Sequence, residues 1–226
     1  MKIGICGGTF DPFHRGHLEP VLAARGVMQW DRLIYVPAYR QPFKSEQQFA
    51  SGYHRFTMAV LATESIETIY VSAQELDRGQ ISYTVETLEW LRAEHPQATL
   101  DWIIGDDNLA QLTEWKRIDR IFELANFVVL TRFGSQIADR RSQNDAAFPA
   151  IRDPRSAIPE VFRSRIASPE QRGTHGHILF AENNTVPVSS TDIRRKIRAG
   201  EPIGGLVDPR VSHYIEHNRL YREAQT

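Results

Sequence analysis

Short apolar runs that alternate with stretches of helical spacing restrict the fold of this 226-residue chain more than any other feature. Lys2-Ile3-Gly4-Ile5-Cys6, Leu33-Ile34-Tyr35-Val36, Ile69-Tyr70-Val71, Leu100-Asp101-Trp102-Ile103-Ile104, Phe127-Val128-Val129-Leu130 and Ile178-Leu179-Phe180 are bounded by polar or turn residues and read as buried strands. Between them, Tyr53 to Glu64, Tyr83 to Glu94 and Asp119 to Leu124 space their apolar residues as helices do. Ser82 is placed to cap the second of these, with Glu86 in its first turn. A strand ending near Glu182 is followed by a helix from Ile193 to Ala199, stopped by Gly200, and by a last helix starting at Asp208-Pro209. Such alternation predicts an α/β protein whose parallel sheet carries helices on both faces.

The expected architecture is therefore a Rossmann-like, doubly wound sheet with a C-terminal helical segment, in one domain over residues 1–226. Residues 133–176 interrupt it, being rich in Arg, Ser, Pro, Asp and Gln. They read as a surface insertion, with a short helix near Pro159 to Arg165, a lid, and disorder all left open. Ligands of such folds bind at the carboxyl ends of the strands. The first strand ends there in Gly7-Gly8-Thr9-Phe10-Asp11-Pro12-Phe13-His14-Arg15-Gly16-His17, ahead of a helix beginning near His17. The paired glycines let the backbone turn and approach a ligand. The helix start, with its unpaired N–H groups and positive dipole end, makes with two imidazoles a cradle for phosphate. Neither a Walker A loop nor a G-x-G-x-x-G fingerprint is present.

Charge and cysteine content narrow the partners. With a formal net charge of −1, the chain has no global positive field for nucleic acid or an anionic membrane, so phosphate must be met by local groups. Cys6 is the single cysteine and reads as a small core residue. The start of the chain lacks a signal-like apolar run and no stretch reaches membrane-spanning length, which implies a cytoplasmic protein. His175-Gly176-His177 has no cysteine or carboxylate nearby to complete a metal site.

The first loop resembles the signature of the HxGH nucleotidylyltransferases, carried by Gly7, Gly8, Thr9, Phe10, Asp11, Pro12, His14, Gly16 and His17. Val188-Ser189-Ser190-Thr191-Asp192-Ile193-Arg194 is similar to the ISSTxxR string of the same superfamily, with valine for isoleucine. The resemblance implies that His14, His17 and Arg194 are catalytic donors. It places ATP on Gly7, Gly8, Thr9, Phe10 and Gly16, and its β- and γ-phosphates on Ser190, Thr191 and Arg194. Arg195, Lys196 and Arg198 read as a solvated helix face.

Ile81-Ser82-Tyr83-Thr84 and Gly105-Asp106-Asp107-Asn108-Leu109, followed by Trp115, resemble the bacterial nicotinate-nucleotide adenylyltransferases. That likeness implies transfer of AMP from ATP to nicotinate mononucleotide, by in-line displacement, with Mg²⁺ arriving on the ATP phosphates and no metal site in the protein. In physical terms, Trp115 offers a flat face to a pyridine ring and the helix start at Thr84 offers N–H donors to a carboxylate. Asp107 is an acceptor for ribose hydroxyls, or a helix cap. Lys44 is a further phosphate candidate, in a loop that carries Phe43 where the family usually has histidine. Use of nicotinamide mononucleotide, phosphopantetheine or another phosphorylated acceptor stays open, as does a non-catalytic nucleotide-binding regulator. The sequence sets no oligomeric state.

Overall fold

The computed structural model describes residues 1–42, 49–130, 153–181, 183 and 186–222. Seven strands form one sheet: β1 (Lys2–Gly8), β2 (Arg32–Pro37), β3 (Ile69–Val71), β4 (Thr99–Gly105), β5 (Asn126–Leu130), β6 (Ile166–Ala167) and β7 (Ile178–Ala181). Their order is β3-β2-β1-β4-β5-β7-β6, and every pairing is parallel. Each expected apolar run forms a strand. The chain winds outward from β1 through β2 to β3 and returns beside β1 as β4, so the topological switch lies between β1 and β4. Crevices at such a point hold ligands.

Among the described residues, seven α-helices cover the sheet: α1 (Arg15–Met28), α2 (Gly52–Thr63), α3 (Gln74–Arg78), α4 (Thr84–Glu94), α5 (Ile118–Leu124), α6 (Ser190–Arg198) and α7 (Pro209–His217). Side chains alternate across each strand, so the sheet feeds two cores. Cys6, Leu33 and Tyr35 face one, with Met58 of α2, Ile193 of α6 and Val211 of α7. Ile3, Ile5, Ile34 and Val36 face the other, with Leu88 of α4 and Phe122 of α5. Cys6 is a buried free thiol, and burial pushes its pKa well above the usual range.

Several boundaries differ from expectation. α1 begins at Arg15 instead of near His17, because His14 is the extended N-cap residue. α6 begins at Ser190, not Ile193, since the Ser189 side chain caps it by accepting the Asp192 N–H. Ser82 does not cap α4. Tyr83 is the N-cap residue, and the buried Ser82 Oγ accepts the Tyr39 N–H at 3.0 Å. A 3₁₀ helix, Asp106–Glu114, follows β4 directly. The described part of the 133–176 segment lies partly inside the protein: it supplies the edge strand β6 and buries Ile158 and Phe162 in the second core. Arg172 then ties it to Asp101 at the amino end of β4, at 2.7 Å. Glu182 lies outside the described residues.

Candidate active site

The loop after β1 is built by packing before it is built for ligands. Gly7 and Gly8 belong to β1 itself, and the expectation that they make the turn is corrected by the geometry. A side chain at either would meet the rings of Trp102, 2.6 Å from an ideal Cβ, or Phe10, 2.8 Å away. The turn falls at Phe10, with φ of +54°, and at the cis Asp11–Pro12 peptide. Phe10 and Phe13 surround His17 with ring centroids 5.0 and 5.5 Å away, and the Tyr35 hydroxyl donates to the His17 carbonyl at 3.0 Å. His14 and His17 stack, centroids 3.7 Å apart. The His14 N–H donates to Nδ1 of His17 at 3.3 Å, which leaves the proton of a neutral His17 ring on Nε2.

The first N–H groups of α1 are not all open, as the sequence suggested. The Arg15 N–H is taken by the Leu206 carbonyl at 3.1 Å and the His17 N–H by the His14 carbonyl at 2.8 Å. The donors at this site are therefore largely side chains.

The second motif meets the first directly. Ser190 Oγ donates to the Pro12 carbonyl at 3.1 Å, and Arg194 Nη1 to the Asp11 carbonyl at 2.6 Å. Arg194 Nη2 reaches Thr191 Oγ1 at 3.3 Å, while the guanidinium lies 4.2 Å from the Phe49 ring centroid. Gly16 lets Val188 approach α1, since a Cβ there would stand 3.0 Å from a Val188 methyl. Burial pulls the Arg194 pKa down, and the Asp11 carboxylate opposes that pull.

Beneath the loop lies a polar cluster to which sequence reasoning assigned no role. Asp11 is buried; one carboxylate oxygen accepts the Tyr221 hydroxyl at 2.6 Å and the other the Phe49 N–H at 2.8 Å. Arg55, 0% exposed, donates from Nη1 to the Thr9 carbonyl at 2.6 Å and from Nε to the Ala50 carbonyl at 3.3 Å. One sequence signal pointed to it: a charge in the apolar stripe of Arg55, Met58, Ala59 and Ala62.

Of the remaining candidates, Asp107 and Thr84 lie by the carboxyl ends of β4 and β2. Asp107 is exposed in the first turn of the 3₁₀ helix, immediately beyond β4, so it is not that helix's cap. Thr84 is half-buried at the start of α4, and an isolated bridge between Arg40 and Ile81 holds that start beside the end of β2. Half-buried Trp115 packs edge to face on Phe127, centroids 5.5 Å apart. Next to it, Lys116 pairs with Glu86 of α4 at 2.7 Å and lies 3.9 Å from the Tyr83 ring centroid, which brings the Thr84 and Trp115 segments together. Lys44 and Phe43 lie outside the described residues. His175 and His177 line a concavity of about 760 Å³ at the amino end of β7, remote from this cluster.

Known proteins match both the fold and the sequence. The cytidylyltransferase-like family model matches residues 5–196. A protein of Clavibacter michiganensis named "probable nicotinate-nucleotide adenylyltransferase" is 32% identical over 100% of this chain and 96% of its own length. One of the same name from Citrifermentans bemidjiense is 34% identical over the whole of both chains. The solved structure of Plasmodium falciparum nicotinic acid mononucleotide adenylyltransferase complexed with NaAD shares the fold, with a TM-score of 0.64 at 16% identity over 97% of each chain. Kinship that runs from end to end, across both motifs, leaves one assignment: the chain belongs to the cytidylyltransferase-like family, among the nicotinate-nucleotide adenylyltransferases.

Proposed function

We propose that the protein transfers the adenylyl group of ATP to nicotinate mononucleotide, yielding nicotinate adenine dinucleotide and pyrophosphate for NAD biosynthesis. The observation that carries this reading is the junction of the two motifs, where Ser190 and Arg194 grip the carbonyls of Pro12 and Asp11 beside the stacked histidines. A phosphate-binding loop and a second set of phosphate donors are thereby held as one unit. Full-length kinship with named adenylyltransferases supports the choice of substrates.

An oxygen of the 5′-phosphate of nicotinate mononucleotide attacks the α-phosphorus of ATP in line. The new P–O bond forms as the bond to the bridging α–β oxygen breaks, and the electron pair leaves on pyrophosphate. The acceptor phosphate is already an anionic nucleophile, so the protein supplies alignment and charge stabilisation. His17, protonated on Nε2, and His14 donate to the transferring and leaving phosphates. Arg194, Thr191 and the backbone N–H of Ser190, whose hydroxyl proton is on the Pro12 carbonyl, hold the β- and γ-phosphates, the guanidinium in a fork that grips two oxygens. The backbone from Gly7 to Phe10, with Gly16, shapes the floor, and Asp107 accepts ribose hydroxyls. Thr84 and Trp115 take the pyridine carboxylate and ring.

The donor set around the loop consists of imidazoles, hydroxyls and a guanidinium, which suits phosphate oxygens more than a cation, and Asp11 is engaged by Tyr221 and Phe49. Among the described residues no cluster of three or more His, Cys, Asp or Glu is placed to hold a metal. Mg²⁺ would thus be held on the triphosphate, where it neutralises charge. Use of ATP and an unpaired thiol at Cys6 fit a cytoplasmic setting.

A pyrophosphate-release assay with ATP and a panel of nicotinate mononucleotide, nicotinamide mononucleotide and 4′-phosphopantetheine tests this reading. Nicotinate mononucleotide should have the highest kcat/KM, because an amide NH₂ facing N–H donors goes unpaired at about 1–3 kcal/mol. No pyrophosphate with any acceptor would leave a binding protein, and preference for another acceptor would reassign the substrate.

A further inference from the structure

One buried carboxylate close to the acceptor end of the site has no part in the chemistry above. Glu75 of α3 is 3% exposed and accepts the hydroxyl protons of Thr87 on α4 and of Ser82. Burying a carboxylate is costly unless its oxygens are hydrogen-bonded, and here two hydroxyls meet it. Ser82 passes the connection on. Its Oγ accepts the Tyr39 N–H at 3.0 Å, and its own N–H donates to the Arg40 carbonyl at 2.8 Å. The same segment reaches the phosphate loop, because the Ala38 N–H donates to the Gly8 carbonyl at 2.8 Å.

A second layer binds the opposite wall. Glu86, in the first turn of α4, meets Arg78 at 3.1 Å and Lys116 at 2.7 Å, and so ties the Trp115 segment to the same helix start. Glu75 thus lies under an element, residues 82–87, that contacts both the end of β2 and the Trp115 segment. Ser82 Oγ is committed as an acceptor to Tyr39, so its proton needs an acceptor in turn. A carboxylate can accept from Ser82 and Thr87 together, whereas an amide would turn NH₂ towards one of them.

We infer that Glu75 is a positioning residue for the acceptor nucleotide, fixing the Thr84 helix start relative to Trp115 and to the Tyr39–Arg40 segment. The inference rests on the assignment of Thr84 and Trp115 to the acceptor. Glu75 touches neither substrate. Its effect passes through the hydroxyls of Ser82 and Thr87, and it should appear in acceptor binding while ATP handling stays unchanged.

The test compares Glu75→Gln, Thr87→Val and Thr87→Ser with the wild type, measuring kcat, KM for each substrate, preference for nicotinate over nicotinamide mononucleotide, and melting temperature. Glu75→Gln and Thr87→Val should raise KM for nicotinate mononucleotide about tenfold and erode the preference, with KM for ATP unchanged. Thr87→Ser keeps the hydroxyl and should restore wild-type values. If Glu75→Gln fails to fold, the Val and Ser pair at Thr87 decides. Variants that melt earlier yet keep acceptor KM and preference, or in which both KM values rise together, would overturn the positioning role. Failure of the underlying acceptor assignment shows elsewhere, as absence of any preference in the wild type, and it would overturn the inference as well.

Discussion

Replacing Arg172 with methionine should destabilise the fold heavily and leave adenylyl transfer intact. Arg172 and Asp101 side chains are 6% and 0% exposed. Asp101 Oδ2 receives Arg172 Nη1 and the Trp30 indole N–H, each at 2.7 Å, and Oδ1 receives Asn126 Nδ2 at 2.9 Å. Methionine matches the length of the stem but removes the only charge opposing a fully buried carboxylate in this set of contacts, leaving two neutral donors. Breaking a buried pair in this way costs about 3–5 kcal/mol. A domain of this size loses roughly 2–4 °C per kcal/mol, which gives a drop of about 6–20 °C in Tm. Thermal melting by circular dichroism measures it, with urea titration as a second probe. The double variant Asp101→Asn/Arg172→Met should lose less than the sum of the single variants, since both charges have gone. Because these contacts lie at the amino end of the sheet, kcat and both KM values should hold at temperatures well below the melt. An Arg172→Met protein melting within about 2 °C of the wild type would refute the argument, for a loss of that size lies in the range of ordinary surface substitutions.

His17→Ala should lower kcat about a hundredfold or more, with little change in either KM, because its hydrogen bond strengthens as charge develops; steady-state pyrophosphate release measures this. Arg194→Lys should cut kcat/KM for ATP severalfold, since a point charge replaces a fork that now spans the Asp11 carbonyl and Thr191; an ATP titration checks it. Burial raises the Glu75 pKa, against the pull of Ser82, Thr87 and Arg78, so its contribution to stability is present when it is protonated and is lost as pH rises through the raised value. Urea unfolding from about pH 4 to 8 should therefore show a wild-type decline that sets in at the ordinary glutamate range and levels off above the raised value, and that Glu75→Gln lacks. Cys6 should resist thiol reagents in the folded protein and react fully in denaturant, as measured by dithionitrobenzoate titration.

The strands were legible because each is a continuous apolar run between turn residues, the pattern of a sheet covered on both faces. β6 was not: Ile166 and Ala167 are two half-buried residues that become a strand only by pairing with β7. The start of α1 and the cap of α4 were misread because His14 and Tyr83 occupy the N-cap positions, where the residue types used as signals are Ser, Thr, Asp and Asn. The residues proposed as phosphate donors could be named from sequence because they lie in two compact strings. Their supports could not, with the partial exception of Arg55, whose charge stands out in an apolar stripe. Ser82 looked like a cap and is a relay between Glu75 and Tyr39. Tyr221 carries no local signal, since its partner Asp11 is 210 residues away.

That separation has a consequence for the newly made chain. The carbonyl gripped by Arg194 and the carboxylate met by Tyr221 both belong to Asp11, 183 and 210 residues earlier. At 5–20 residues per second, synthesis takes roughly 10–40 s to supply those partners once the first loop exists. During that interval the nascent protein has the first strand, the glycines and both histidines, but neither of the side chains that hold Asp11 from the far end of the chain. On the proposed assignment of Arg194 to the triphosphate, turnover of ATP would begin only when the last helices dock. A copy cut short before residue 189 should therefore release no pyrophosphate, which an assay of the truncated chain measures.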